Sequence, residues 1–246
     1  MFKKSRRLEE APPAAGVDDL SETDARIVAA VQPHTMTPPA RVAALLRAID
    51  YVERRGLPGA YVECGVWRGG SVLAMVLKLL DLGVTTRHVY AFDSFEGMPE
   101  PTSADTSRYS GVALDEWRAA REARRRPWAE MFDPASFNVD AVRGLLLANG
   151  YPAGALHVEA GRVEETIPGA APDELALLRL DTDWYESTRH ELVHLYPRLV
   201  TGGVLIIDDY GHWEGCRRAV DEYFANESPP ILLTPVDYTC RIGVKA

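Results

Sequence analysis

The sequence predicts the α/β class: a mostly parallel β-sheet with helices on both faces, a C-terminal antiparallel hairpin and a lid insertion. Three observations predict it. From residue 60 onward, short apolar runs alternate with longer amphipathic ones, the rhythm of parallel strands joined by crossover helices. The chain ends in two strand-like runs with only a short turn between them, too short for a crossover. One segment, 99–137, breaks the rhythm at a length that plain connections rarely reach.

Taken in order, residues 1–23 carry Pro12, Pro13, Gly16 and many charges, and are expected to form a mobile arm. Residues 24–246 then make a single domain. A helix is predicted over 38–55, where Val42, Leu45, Leu46, Ile49 and Val52 share one face and Gly56 with Pro58 and Gly59 stop it. Buried strands are predicted at 60–66, 88–93, 156–160, 175–181 and 203–208, each a short apolar run. Helices are predicted over 71–82, 139–149 and 187–199. Runs 231–235 and 239–245 read as the hairpin, and the segment of about 99–137, with Pro, Ser, Arg and two Trp residues, as the lid.

Composition narrows the class of function. Apolar residues make up 46% of the chain, enough for a full core, and no run is long enough to span a bilayer. The basic start, Met1 to Arg7, is not followed by an apolar signal core, so a cytoplasmic protein is expected, without a membrane partner. A net charge of −9 argues against nucleic acid as a partner. Arg118, Arg121 and Arg124–Arg126 are a local exception, read as a solvated helix face or as a lid arm greeting an anionic substrate. Cys64, Cys216 and Cys240 are scattered and support neither a disulfide framework nor a zinc site.

The first strand runs into Glu63-Cys64-Gly65-Val66-Trp67-Arg68-Gly69-Gly70-Ser71, which opens a helix. Glycines let backbone approach a ligand, and a helix N-terminus favours negative charge. The dinucleotide pattern GxGxxG is absent. An acid, then Gly, then Gly four positions on is instead the form of turns that bind S-adenosylmethionine (AdoMet). Gly65, Trp67, Arg68, Gly69 and Ser71 would line it, and Glu63 would hold the ammonium side. Asp93, followed by Ser94, ends the second strand 30 residues after Glu63, where an acid can accept both ribose hydroxyls. Gly161 and Arg162 end the third strand, where the adenine edge would lie.

Two further strands end in acid: Leu180-Asp181-Thr182-Asp183 and Ile207-Asp208-Asp209. Parallel strands in register bring Asp181, Asp208 and Asp209 to one carboxyl edge. Three clustered carboxylates need protons or a cation, and hard oxygen ligands suit Mg²⁺, with Mn²⁺ or Ca²⁺ as alternatives. Such an ion lowers the pKa of a bound hydroxyl. Capping of the helices that follow is the simpler reading for one or two acids, and fits Asp183. Asp181 ranks first as catalytic base or its assistant, in addition to ligating metal, and His212 second.

These segments together, with Phe92-Asp93-Ser94-Phe95-Glu96-Gly97-Met98-Pro99, Asp181-Thr182-Asp183-Trp184-Tyr185-Glu186-Ser187-Thr188 and Leu195-Tyr196-Pro197-Arg198-Leu199, resemble the macrocin O-methyltransferase family, which includes mycinamicin and novobiocin sugar O-methyltransferases. The resemblance runs from about residue 34 to the C-terminus. It implies the Rossmann-like sheet of class I AdoMet-dependent methyltransferases, and Mg²⁺ or Mn²⁺ on Asp181, Asp208 and Asp209. It further implies that Thr35-Met36-Thr37 reaches over the cofactor, that the chain forms a homodimer or higher oligomer, and that the acceptor is a hydroxylated small molecule of natural-product or antibiotic biosynthesis, typically a deoxysugar. The chain departs from the family's antibiotic-tailoring pattern at Thr182, at the turn Gly211-His212-Trp213, and across 102–128. Two other classes fit less well: a non-catalytic AdoMet-binding regulator, which needs no acid cluster, and a Mg²⁺-dependent phosphoryl-handling enzyme, which would need the phosphate loop that the sequence lacks.

Overall fold

The computed structural model describes residue 17 and residues 19–246. Residues 1–16 and 18 of the expected arm lie outside the described residues. The first helix, α1 (Glu22–Val31), already starts inside the span assigned to the arm. Ser21 explains the start: its hydroxyl accepts from the Asp24 backbone N–H and donates to the Asp24 carboxylate. Helix α2 (Pro39–Arg54) has proline at its first position and buries the predicted apolar face. Then follow β1 (Ala60–Cys64), α3 (Gly70–Asp81) and β2 (Val89–Asp93). The lid contains β3 (Thr106–Ser107), β4 (Gly111–Val112) and α4 (Ala113–Glu122). The core resumes with α5 (Val139–Leu147), β5 (Leu156–Ala160), a single turn α6 (Val163–Thr166), β6 (Leu175–Leu180) and α7 (Tyr185–Leu195). It ends with β7 (Leu199–Ile207), α8 (Glu214–Asn226), β8 (Thr234–Pro235) and β9 (Arg241–Val244).

The seven-stranded sheet has the order β5-β2-β1-β6-β7-β9-β8. Its first five strands are parallel, and β9 runs antiparallel to both β7 and β8, as the terminal hairpin requires. Strand residues alternate between two cores. Tyr61, Ala176, Leu177 and Val204 pack toward α2, α3 and α5, while Val62, Leu178, Leu205 and Ile207 pack toward α7 and α8. Helices α1 and α8 were not expected from apolar spacing; each mixes charged residues into a short apolar face. Strand β7 starts earlier than expected because Pro197 ends α7 in a short 3₁₀ turn. The three cysteines are free and buried. No helix among the described residues is long and apolar enough to cross a membrane.

Register fixes the functional edge. Leu180 pairs with Cys64 on one side and Ile207 on the other, so Gly65, Asp181 and Asp208 leave the sheet side by side. Strand β1 is also where the chain order reverses direction, the crevice in which open α/β sheets bind ligands. Gly65 sits at φ +81°, and a Cβ there would overlap the Asp181 carbonyl oxygen.

The lid is ordered by one buried acid. Asp105, fully buried, accepts from the Thr102 N–H and hydroxyl and from the Tyr185 N–H at the start of α7 (2.6–2.8 Å). Gly215 of α8 leaves room for this carboxylate, since a Cβ would overlap it. Trp184 Nε1 donates to the Pro99 carbonyl where the lid begins (3.1 Å). Asp105→Ala strands the buried Tyr185 N–H and is expected to cost about 2–3 kcal/mol, the scale of an unsatisfied buried donor. In amide exchange, residues 99–122 should lose protection while the sheet keeps its own; uniform loss across the sheet would contradict the latch.

Candidate active site

A cavity of about 590 Å³ opens at this edge, between the end of β1, the segment before α2, and the lid. On one side lie Thr35, Met36, Thr37, Glu63, Gly65, Trp67, Ser71, Asp93, Ser94 and Arg162; on the other Asp181, Asp208, Asp209 and His212. These include most of the residues expected from sequence. Arg68, Gly69 and Gly161 are not brought to it. The Arg68 guanidinium lies 4.4 Å over the Trp67 ring, Gly69 caps α3, and the Gly161 N–H donates to the Asp93 carbonyl.

The centre is Arg179. Its side chain is 2% exposed near the C-terminal end of β6, and Glu63 is its register partner on β1. The guanidinium is paired with Glu63, Asp181 (2.7 Å) and Asp208 (2.6 Å), and donates to the Thr37 hydroxyl (3.1 Å). A second arginine, Arg41 on α2, bonds the other Asp208 oxygen at 2.5 Å and Asp237 at 2.6 Å. Two guanidinium groups therefore offset part of the acid cluster. Neither was singled out from sequence, although an arginine within Leu175–Leu180 must be paired, because a buried ion without a partner is prohibitive.

The acids are only partly neutralised. Burial pushes Glu63 up to about 8 against the opposing pull of Arg179, and pushes Asp181 up to about 6. Asp183 rises to about 8 through burial and the nearby Asp181 charge, while burial, Asp183 and Asp181 hold Asp209 well above the carboxylate range. Asp183 does not cap α7. It adopts φ +65°, accepts from Trp213 Nε1 at 2.7 Å and lines the cavity as a fourth acid. Its spacing of two from Asp181 at a strand end was the overlooked signal. Glu191, buried on α7, accepts from the Thr182 hydroxyl between these two acids.

Oxygens of Asp181, Asp208 and Asp209 lie within 4.8 Å of one another, a spacing that suits one small cation. Two buried carboxylate oxygens, Glu63 Oε2 and Asp209 Oδ2, have no partner among the described residues. One lies on the side of the turn after β1, the other in the acid cluster. Asp93 lines the cavity, and its oxygens also accept from the Val66, Trp67 and Phe95 N–H groups (2.7–2.9 Å), which sets the turn's shape. Burial raises its pKa against these three bonds.

The mouth is aromatic. His212 lies between Ser110 of the lid (Nε2 to Oγ, 3.0 Å) and Tyr238 (Nδ1 to OH, 3.1 Å), with the Tyr109 ring stacked on it. Burial, with Arg41 nearby, lowers its pKa and keeps the imidazole neutral near pH 7. Met36, Tyr109 and Tyr238 are 53–56% exposed around the opening. Ser110, Tyr109 and Tyr238 gave no sequence signal, because the fold alone brings them to His212.

The macrocin-O-methyltransferase (TylF) family model matches residues 8–242. The 8-demethyl-8-(2,3-dimethoxy-alpha-L-rhamnosyl)-tetracenomycin-C 4'-O-methyltransferase of Streptomyces olivaceus is 38% identical over 190 residues, 77% of this chain and 67% of that protein. Mycinamicin III 3''-O-methyltransferase of Micromonospora griseorubida is 34% identical over 192 residues, 77% of this chain and 70% of that one. The solved O-methyltransferase NovP has a TM-score of 0.72 at 30% identity, with 87% of this chain and 82% of that one covered.

Raised carboxylate pKa values have a consequence for stability. Glu63 and Asp183 keep their protons in the folded state to about pH 8, whereas in the unfolded chain they release them near pH 4. The folded state therefore binds more protons, and stability falls as pH rises toward 8. The half-buried histidines with lowered pKa, His157, His194 and His212, act oppositely but finish titrating by about pH 7. In chelator-treated protein, urea unfolding between pH 7 and 8 should show a loss of roughly 2 kcal/mol, about half of it from Glu63 and half from Asp183. A flat or rising curve would refute this charge balance.

Proposed function

The chain belongs to the macrocin O-methyltransferase family, and on that premise we propose that it transfers the methyl group of AdoMet to a sugar hydroxyl of a natural product. The observation that carries this reading is the pair of orphaned oxygens. Glu63 Oε2 and Asp209 Oδ2 are buried without partners among the described residues at the two sides of one cavity. A buried carboxyl oxygen without a donor is tolerated only with a proton or beside a cationic ligand. On the side of Glu63, the ammonium of AdoMet meets that need; on the side of Asp209, a divalent cation does. The residues present thus fit both groups.

Bound there, AdoMet supplies an electrophilic methyl on a sulfonium, and Mg²⁺ or Mn²⁺ held by Asp181, Asp208 and Asp209 would ease ionisation of the acceptor hydroxyl. The chain's own groups do the rest. Glu63 receives the ammonium, and Asp93 holds the turn at Val66 and Trp67 in place beside it. Thr35, Met36 and Thr37 close over the cofactor, with Thr37 bonded to Arg179. Asp181, lining the cavity beside Asp208, would take the hydroxyl proton. The cofactor held by Glu63 and the turn after β1 would supply its methyl group to the deprotonated acceptor oxygen, with S-adenosylhomocysteine as the other product. His212, tied to Ser110 and Tyr238, positions the acceptor at the mouth. The aromatic rim of Tyr109 and Tyr238 suits the apolar faces of a deoxysugar.

A second reading has a specific observation in its favour. Asp208 offers both oxygens to guanidinium groups, so charge compensation by Arg41 and Arg179 could support transfer without a metal. Chelation separates the two. Transfer to hydroxylated glycosides should stop in EDTA and return with Mg²⁺ or Mn²⁺; full activity in excess chelator would establish the metal-free route.

Asp209→Asn is the sharpest substitution, since Asp209 Oδ2 has no bond to lose among the described residues. It is expected to lower kcat at least a hundredfold and to abolish Mn²⁺ binding by calorimetry. Its AdoMet affinity should stay within tenfold of wild type, about 1.4 kcal/mol. A larger loss of AdoMet affinity would mean that this acid serves the cofactor.

A further inference from the structure

Five arginines fall within nine residues of the lid, Arg118, Arg121, Arg124, Arg125 and Arg126, in a chain of net charge −9. Arg126 is committed, donating to the Glu96 and Phe132 carbonyls. Arg125 reaches only Glu116, 3.5 Å away at the surface. Arg118, Arg121 and Arg124 have no carboxylate partner within 4.0 Å among the described residues. A chain rich in acids has left this cluster largely unneutralised.

The cluster borders a cavity of about 610 Å³, distinct from the first. Trp117, Arg121, Arg124 and Arg125 line it, and Met98 and Pro99 form a wall shared with the catalytic cavity. Glu96 and Glu100 also line it, leaving arginine in excess. The end of α4 adds a second observation. It closes with Arg125 N–H donating to the Ala120 carbonyl and Arg124 N–H to Arg121, both at 3.0 Å, and Arg124 takes the left-handed conformation at φ +53°. Glycine is the residue favoured in that position. The residue there is instead an arginine whose side chain lines the cavity.

We infer that this second cavity binds the diphosphate of a nucleotide-activated sugar whose sugar lies beyond Met98 and Pro99 in the catalytic cavity. Guanidinium forks match phosphate oxygens in pairs. Trp117, with the Arg121 guanidinium 5.4 Å from its ring centre, gives the base a stacking surface. This rests on the methyl-transfer reading and adds that the sugar is methylated while still activated. The reaction that consumes the product is then a glycosyl transfer, which breaks the sugar–phosphate bond.

Calorimetric titration of the whole chain with thymidine diphosphate and uridine diphosphate at low salt tests the site. At least one should bind, more weakly as salt rises. Arg121→Ala combined with Arg125→Ala should weaken that binding at least tenfold at an unchanged Tm. Arg124→Gly supplies the residue the backbone favours, so it should keep or raise Tm while weakening binding at least threefold. Absence of binding at millimolar diphosphate, or wild-type affinity in both variants, would overturn the site. In the transfer assay, a thymidine or uridine diphosphate 6-deoxysugar should be methylated, with KM raised and kcat kept in the arginine variants. Diphosphate binding without methylation of the nucleotide sugar would overturn the acceptor assignment. Transfer to uncharged glycosides, unaltered by the substitutions and without nucleotide-sugar turnover, would sink the subsite and leave methyl transfer standing. AdoMet and diphosphate both binding, with no S-adenosylhomocysteine formed from any hydroxylated acceptor, would instead sink the methyl-transfer reading on which the inference rests.

Discussion

Everything at the functional edge is organised around one buried cation. Arg179 sits in an otherwise apolar strand, where an unpaired guanidinium would be prohibitive, and Glu63, Asp181 and Asp208 make its burial tolerable. The dependence runs both ways. Without Arg179, three carboxylates would share a water-poor cleft with only Arg41 to offset them. Because Arg179 touches Thr37 and Glu63 on one side and Asp181 and Asp208 on the other, the two halves of the cavity share one charge. A ligand that rebalances charge at Glu63 changes the field at Asp181, and the reverse must hold to the same extent.

Register does the remaining work of assembly. Cys64, Leu180 and Ile207 end three neighbouring strands at one level, so the residues that follow them converge without any long side chain having to reach. Gly65 permits that approach, and the acids then lie close enough to raise one another's pKa. Polar reach comes from elsewhere: Arg41 from α2, Trp213 from the loop before α8, and Ser110 from the lid.

The sheet was legible in the sequence because strand burial is written as short apolar runs, and the acids because they interrupt those runs at their ends. Strand 156–160 falls where the apolar run places it, and the hairpin closes the sheet as the missing crossover demands. Side-chain commitments were not legible. Asp93 carries the pattern of a ribose acceptor, and its oxygens also hold backbone N–H groups, a use that only the fold of the turn reveals. Asp183 was given to a helix cap because local spacing suggested one, but the left-handed backbone at that residue turns it into the cavity. Helix α1 is masked by charges: Asp24 interrupts its apolar pattern, and in the fold it pairs with the buried Lys78 of α3.

The attachment of the lid separates two kinds of specificity. Its fixing points to the strand-end scaffold include Asp105 against the starts of α7 and α8, Trp184 against Pro99, and Trp67 Nε1 against the Met131 carbonyl at 2.7 Å, while Ser110 meets His212 at the mouth. None of them involves Arg179 or its partners. Lid sequence can therefore drift between these anchors without disturbing the charge balance beneath. For protein engineering this marks a graft boundary: loops exchanged between Asp105 and Met131 would change which acceptors are admitted, while the machinery rooted in the strand ends travels unchanged.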